Sequence, residues 1–239
     1  MKILVINPNT SEEMTKSIEE TAKNVVHPGT QVIVTNPDVG PESIESFYEE
    51  HLSFIGVMKV LKKIGKVDAV VIACFDDPCL YAYKEILDIP VVGIGEASFA
   101  LALILGYKFS IIVALKKAVS IMENLVIRYG LKERLASIRP LNIPVLGLEK
   151  DVKKTLEVMA NIGKKMIEED GAEVIILGCA GMTNLDVKLS SILGVPVIDP
   201  VKAGVKIAEM LAHLGLKTSK KGLYEKPPKK KIKGIDIII

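Results

Sequence analysis

Short apolar runs alternate with amphipathic stretches along the whole chain. The runs Ile3–Asn7, Gln31–Thr35 and Ala69–Ala73 are rich in isoleucine and valine, which is typical of strands buried in a parallel sheet. The stretches between them, Ser11–Val26 and Ser53–Ile64, carry apolar residues at helical spacing. This alternation predicts an α/β fold in which helices cover a parallel sheet.

The pattern of the first half is repeated in the second half. The segment DAVVIAC at 68–74 matches EVIILGC at 173–179: an acidic residue, an apolar strand, a small residue and then a cysteine. Further along, IPVVG at 89–93 matches VPVID at 195–199, in the same order and at nearly the same separation. Buried strands resemble one another by chance, but two matches in register favour a duplicated α/β unit.

The duplication predicts two similar Rossmann-like α/β domains with parallel sheets, related by pseudo-twofold symmetry, with the active site in the interdomain cleft. We place the first domain at residues 1–97 plus 207–239 and the second at 98–206. We assign residues 207–239 to the first domain because we interpret the last segment, Ile232–Ile239, as a strand that closes this domain.

Composition narrows the class of protein. The hydrophobic fraction is 49% and the charged fraction 25%, which is ordinary for a globular protein. The net charge of +2 gives no reason to expect a nucleic-acid partner. Apolar runs stop well short of the roughly 18 residues of a membrane helix. Three cysteines do not suit a secreted disulfide framework, so we expect a cytoplasmic protein with reduced thiols.

Cys74 and Cys179 end the two matching strands, where ligands bind in open α/β sheets. A single buried cysteine is usually a small apolar side chain, but two at equivalent positions favour a joint role. If the halves face each other, one thiolate can remove a proton from one face of a carbon centre while the other thiol protonates the opposite face. A free thiol pKa of about 8.5 suits this chemistry. The sequence therefore predicts a racemase with these two catalytic cysteines, a small-molecule substrate, no cofactor and no metal.

The loops around the cysteines supply further candidates. Asp77-Pro78 predicts the start of a helix whose N–H groups favour a thiolate at Cys74. Asp76 and Asp77 fit either a supporting role beside Cys74 or a turn and N-cap role. The loop after Cys179 offers flexibility and hydrogen-bond donors, and its candidate residues are Gly181, Met182, Thr183 and Asn184.

The segment that follows the first strand, NPNTS at 7–11, contains two kinds of signal. Thr10 and Ser11 suit the cap of the next helix. Asn7 and Asn9 flank a proline at a strand end, and their amides can bind a polar, uncharged substrate.

Other motifs carry less information. Gly93-Ile94-Gly95 lacks the last glycine of the dinucleotide fingerprint. Glu96 either points into the cleft or caps a helix over Ser98–Leu105. The three histidines are isolated and show no metal-ligand spacing. Cys79 is interpreted as a packing residue, with a reversible Cys74–Cys79 disulfide as the alternative.

Several motifs together resemble the hydantoin racemase family of the aspartate/glutamate racemase superfamily. They run along essentially the whole chain: NPNTS at 7–11, CFDDP at 74–78, GIGEA at 93–97, GCAGM at 178–182 and GLKTSK at 215–220. The resemblance implies two catalytic cysteines without cofactor, a 5-substituted hydantoin or allantoin as substrate, and a homo-oligomer. It also implies a pocket lined by Asn9 and by the loops after the cysteines, which contain Phe75, Asp76 and Ala180.

This chain departs from the family pattern at two places. The family usually has glycine where this chain has Cys79, and a Thr-Thr pair where it has Val113-Ala114. Those hydroxyls would be expected to contact the ring of the substrate. The amino-acid racemase branches typically carry Cys-Asn-Thr and Gly-Cys-Thr, which the segments 74–76 and 178–180 do not match. The related arylmalonate decarboxylases use a single catalytic cysteine.

Two alternatives to a hydantoin racemase remain open at this point. The first is a racemase of a free amino acid such as aspartate, although the few arginines lie away from the cysteine motifs. The second, from another class, is a non-catalytic small-molecule binder or a thiol redox sensor.

Overall fold

The computed structural model describes residues 1–148, 150–230 and 233, and the predicted strand Ile232–Ile239 lies outside these residues. Strands and helices alternate along the chain, as the sequence pattern predicts. The strands are β1 (Lys2–Ile6), β2 (Gln31–Thr35), β3 (Ala69–Ile72), β4 (Val91–Gly93), β5 (Phe109–Val113), β6 (Leu135–Pro140), β7 (Val174–Leu177) and β8 (Val197–Ile198). The helices are α1 (Glu12–Val25), α2 (Phe47–Lys63), α3 (Leu80–Ile86), α4 (Ile94–Leu105), α5 (Lys116–Arg128), α6 (Val152–Glu168), α7 (Asp186–Leu193) and α8 (Pro200–His213).

The strands form two four-stranded sheets with the same order of strands. The first sheet runs β2-β1-β3-β4 and the second runs β6-β5-β7-β8. All neighbouring strands are parallel, and the register pairs Ile3 with Ala69 in the first sheet and Phe109 with Val174 in the second. The predicted α/β class with two like halves is confirmed, and the order is what a duplicated unit requires.

The last helix of each half packs against the other half. Helix α4 follows the first sheet but packs on β7 and β8, whereas α8 follows the second sheet but packs on β1, β3 and β4. The two helices also pack extensively against each other. The predicted domain boundary at residue 207 lies within α8, and α8 contacts three strands of the first sheet.

One apolar core continues through both halves. In β1, the side chains of Ile3 and Val5 join a buried cluster that also contains Ile111 and Ile175 of the second sheet. The alternate residues Leu4 and Ile6 belong to a smaller cluster with α2 and α3 on the outer face of the first sheet. This alternation follows from the two-residue period of a strand that is buried on both faces.

Side-chain caps decide where the helices begin. Ser11 caps α1 by accepting the N–H of Met14, as the sequence indicates. Helix α2 begins at Phe47 rather than near Ser53, because Ser46 accepts the N–H of Glu49. Helix α4 begins at Ile94 rather than at Ser98, because two carboxylates bind the N–H groups of its first turn. The apolar pattern of the sequence does not predict these contacts.

Two contacts hold the first turn of α4. The Glu96 carboxylate accepts the N–H of Gly93 at 3.2 Å and forms an ion pair with Lys84 at 2.6 Å. The buried Asp77 carboxylate accepts the N–H groups of Gly95 and Glu96 at 2.9 and 2.8 Å. Asp77 therefore ties the loop after β3 to the start of α4, which is a favourable place for a negative charge.

In the part of the chain that the structure describes, every helix is too short or too polar to cross a membrane.

The close approach between α4 and the loop after β3 requires glycine at position 95. A Cβ atom on Gly95 would lie 2.3 Å from the carbonyl oxygen of Phe75. We therefore expect Gly95→Ala to lower the free energy of unfolding by about 1–3 kcal/mol, as overpacking of a core does, measured by urea denaturation. Gly65→Ala is the control, because nothing lies within 4 Å of the added Cβ, and its effect should stay within about 0.5 kcal/mol.

Candidate active site

Cys74 and Cys179 line one cleft between the carboxyl ends of the two sheets. Each cysteine closely follows a central strand, β3 or β7, and each is partly exposed to the cleft. The residue before Cys179 is glycine because the neighbouring strand is close: a Cβ on Gly178 would lie 2.6 Å from the carbonyl oxygen of Ile112. The matching strands thus bring one thiol from each half to the same cavity.

Most of the remaining lining is apolar. Two acidic side chains, Glu45 and Asp76, and one amide, Asn9, face the cleft. Among the described residues that line it there is no lysine, arginine or histidine. The other lining residues are Met14, Ile44, Ala73, Phe75, Ala114, Leu115, Ala118, Ile121, Val145, Gly178 and Ala180.

The amide of Asn9 is fixed in one orientation. Its Oδ1 atom accepts the Nδ2–H of Asn7 at 2.8 Å and the N–H of Ser11 at 2.9 Å. Its Nδ2 group contacts the sulfur of Met14 at 3.3 Å, and a thioether is a weak acceptor. Asn9 can therefore offer its N–H groups, rather than its oxygen, to a molecule in the cleft.

The surroundings of Cys74 favour the neutral thiol. Burial raises the pKa of Cys74 well above its usual value, and the Asp76 carboxylate raises it further. The backbone N–H of Asp76 lowers the pKa, while the charges of Cys179 and Glu50 raise it. The sequence led us to expect a helix start that favours a thiolate here, but α3 begins only at Leu80, so it gives Cys74 less positive potential than expected.

The acidic group beside Cys74 is itself perturbed. Burial and the charge of Glu50 raise the pKa of Asp76 to about 7, although Arg128 acts in the opposite direction. Asp76 therefore changes charge near neutral pH, and its charge acts on the Cys74 sulfur.

Each cysteine loop is tied to a long helix through a buried carboxylate. After Cys74, Asp77 caps α4 and also accepts the hydroxyl of Tyr129 at 2.7 Å. After Cys179, the carboxylate belongs to the helix and not to the loop: Asp199 at the start of α8 accepts hydrogen bonds from the loop. Its carboxylate accepts the hydroxyl of Thr183 at 2.6 Å and the N–H of Asn184 at 2.8 Å.

Five of the predicted binding residues lie outside the lining of the cleft: Asn7, Gly181, Met182, Thr183 and Asn184. Asn7 is buried and orients Asn9, and it also donates to Thr15 at 3.0 Å. Thr183 bonds Asp199, and Met182 is fully buried. Gly181 is near the cleft, since a Cβ there would lie 3.7 Å from the Cys179 sulfur. By contrast Asn9, Phe75, Asp76 and Ala180 line the cleft beside the two cysteines.

The sequence did not indicate some of the lining residues, because only the tertiary structure places their segments at the cleft. Ile44 and Glu45 belong to the loop after β2, and Val145 belongs to the equivalent loop after β6. The duplication makes these two loops equivalent, and this equivalence could have identified both of them as candidates for the lining. Ala118 and Ile121 come from α5, which crosses to the cleft from the second half.

The departures from the family pattern have structural consequences. Ala114, where the resemblance implies a threonine, lines the cleft with a methyl group and no hydroxyl. Cys79 has a φ of 53°, a left-handed conformation that glycine adopts at no steric cost. Its side chain packs against the outer cluster of the first sheet, and all three cysteines are thiols.

Within the described ranges, no group of three His, Cys, Asp or Glu side chains is arranged to hold a metal ion.

Two like α/β halves that enclose one cleft, with a thiol from each half, define a class of duplicated α/β enzymes. Comparison with known proteins identifies the family within this class. The family model described as Asp/Glu/Hydantoin racemase matches residues 3–208. The chain belongs to this family and is thus an isomerase of the racemase type.

Individual relatives match over nearly the whole chain. A hydantoin racemase from Pseudomonas sp. (strain NS671) is 48% identical over 98% of this chain and 95% of its own length. A hydantoin racemase from Paenarthrobacter aurescens is 42% identical over 96% and 99%. The crystal structure of an allantoin racemase from Pseudomonas fluorescens superposes with a TM-score of 0.94 at 40% identity, covering 98% of this chain and all of that chain.

The electrostatic link between Asp76 and Cys74 can be tested by alkylation. Asp76→Asn removes a negative charge that raises the Cys74 pKa, so the thiolate fraction and the alkylation rate by iodoacetamide should increase. The increase should be largest above about pH 7, where Asp76 is ionised in the unmodified protein. Rates are read for each cysteine by mass spectrometry across a pH series.

Cys79 is the internal control for this experiment, because burial, Glu50 and Arg128 set its pKa and Asp76 does not contribute. An unchanged or slower rate at Cys74 in Asp76→Asn would contradict the link.

Proposed function

We propose that this protein racemises 5-substituted hydantoins by proton transfer between the ring carbon and two thiols, Cys74 and Cys179. The observation that carries the proposal is that the two matching strands deliver both thiols to one cleft. Relatives that are named hydantoin and allantoin racemases support the same substrate class.

The charge of the cleft favours a neutral ring over a free amino acid. The carboxylate of aspartate or glutamate would meet Glu45 and Asp76 with no cationic side chain among the described lining residues, whereas carboxylate recognition usually relies on arginine or lysine. A hydantoin ring offers two N–H donors and two carbonyl acceptors. The carboxylates can accept from the ring N–H groups, and Asn9 can donate to a ring carbonyl.

In the proposed reaction, the Cys179 thiolate takes the proton from the substituted ring carbon. The electron pair moves into the adjacent carbonyl to form an enolate, and the fixed Nδ2–H group of Asn9 stabilises the developing oxyanion. The Cys74 thiol then protonates the opposite face and becomes the thiolate. The high pKa of Cys74 suits the role of acid in this direction, and the roles reverse for the other enantiomer.

The wall of the cleft favours an apolar substituent on the ring. Ala114, Leu115, Ala118 and Ile121 from the second half form this wall, with Ile44 and Val145 at the mouth. The ureido substituent of allantoin would leave its polar groups without partners on such a wall. Hydantoins with alkyl or aryl substituents are therefore the preferred substrates in this proposal, ahead of allantoin.

The decisive test replaces each thiol separately. Cys74→Ser and Cys179→Ser should each abolish racemisation, because a positioned acid or base typically contributes about 10²–10⁴-fold. Loss of optical activity of one enantiomer of a 5-benzylhydantoin in D2O is followed together with α-deuterium incorporation. One-sided exchange without inversion by a variant would locate the remaining base. Cys79→Ser is the matched control and should stay active, since Cys79 lies outside the lining.

Full racemisation by both serine variants would contradict the two-thiol mechanism. Turnover of aspartate, but of no hydantoin, by the unmodified protein would contradict the substrate class.

The role of Asn9 gives a second test. Asn9→Asp keeps an oxygen that accepts from Asn7 and Ser11 but removes the Nδ2–H donor. We expect kcat to fall by about 10²–10³-fold, as on removal of an oxyanion-hole donor, with the fold retained by circular dichroism. Unchanged turnover in this variant would show that the oxyanion is stabilised elsewhere.

A further inference from the structure

Two equivalent loops meet at the cleft. The loop at 36–46 follows β2 in the first half, and the loop at 141–148 follows β6 in the second half. Glu45 in the first loop accepts the backbone N–H of Val145 in the second, at 3.1 Å from its Oε1 atom. This hydrogen bond links the two halves at the cleft, since both residues line it.

The position of Glu45 is fixed by its own half. Its backbone N–H donates to the carboxylate of Glu49 at 2.8 Å, in the first turn of α2. Earlier in the same loop, the carbonyl oxygen of Pro41 accepts the N–H of Thr10 at 2.9 Å. The loop is therefore held next to the segment that carries Asn9, and the Glu45 side chain reaches the cleft from a fixed backbone.

The two oxygen atoms of Glu45 have different surroundings. Oε1 is engaged by Val145, whereas among the described residues no hydrogen bond to Oε2 is found. Glu45 lines the cleft between Ile44 and Val145. A carboxylate beside apolar side chains loses hydration when a substrate fills the cleft, and this is costly unless a donor on the substrate replaces the water.

We propose that Glu45 is a latch and a specificity residue: Oε1 holds the loop at 141–148 while Oε2 accepts an N–H of the substrate ring. This inference rests on the proposed function and names the group that recognises the ring N–H. Glu45 complements Asn9, which can only donate and therefore recognises a ring carbonyl. A substrate with both groups engages two segments of the first half, and the latch connects one of them to the loop at 141–148 of the second half.

The acceptor role is tested with Glu45→Gln on 5-benzylhydantoin and its N1-methyl and N3-methyl derivatives. Glutamine keeps an oxygen for the Val145 N–H, so the latch stays, but the anionic acceptor is lost. We expect kcat/KM for the unmethylated ring to fall about tenfold or more, the value of a charge-assisted hydrogen bond. The unmodified protein should reject one of the methylated rings, and the variant should lose this discrimination.

Glu42→Gln is the matched control, because Glu42 is an exposed carboxylate of the same loop that does not line the cleft. It should leave kcat/KM for all three rings unchanged. If Glu45→Gln also leaves both kcat/KM and the preference for the unmethylated ring unchanged while the unmodified protein is active, the acceptor role is overturned and the proposed function stands.

The latch has a readout that needs no substrate. Glu45→Ala removes the bond to Val145, so Cys74 and Cys179 should be alkylated faster by a bulky maleimide, whereas Glu45→Gln should behave as the unmodified protein. Equal rates in all three proteins would overturn the latch. If the unmodified protein exchanges no α-proton of any hydantoin, the proposed function fails and the acceptor role fails with it, while the alkylation rates still decide the latch.

Discussion

The exchange of the last helices between the two halves is the packing constraint on which the cleft depends. Helices α4 and α8 lie against each other and each covers the sheet of the opposite half, so one apolar core continues through both sheets. Burial of this shared apolar surface fixes the relation of the sheets. The ends of β3 and β7, and with them the two thiols, are thereby brought to one cleft.

The loops that carry the thiols are braced from the other half by polar contacts. Tyr129 at the end of α5 donates to Asp77 in the first cysteine loop, and Thr21 of α1 bonds Thr183 and Asn184 in the second. Buried polar groups of this kind must be satisfied to avoid a large desolvation cost. The braces therefore hold the loops in one conformation, as the proposed two-thiol reaction requires.

The two halves are alike in backbone but differ in the loops that follow their cysteines. Asp76 and Glu50 add negative charge near Cys74, and glycine stands at the position of the Cys179 loop that corresponds to Asp76. In the proposed two-thiol reaction, this negative charge favours the neutral thiol at Cys74. The asymmetry lies in side chains that reach the site from α2 and from the first cysteine loop.

The sequence by itself determined the α/β class, the duplication and the two strand-end cysteines, because strand periodicity and repeated segments are local properties of the chain. It did not determine that Asp77 holds the first turn of α4 at Ile94, or that Glu45 and Val145 meet at the cleft. Those features depend on contacts between residues far apart in the chain. Only the folded packing of the two halves decides such contacts, since local propensity carries no information about them.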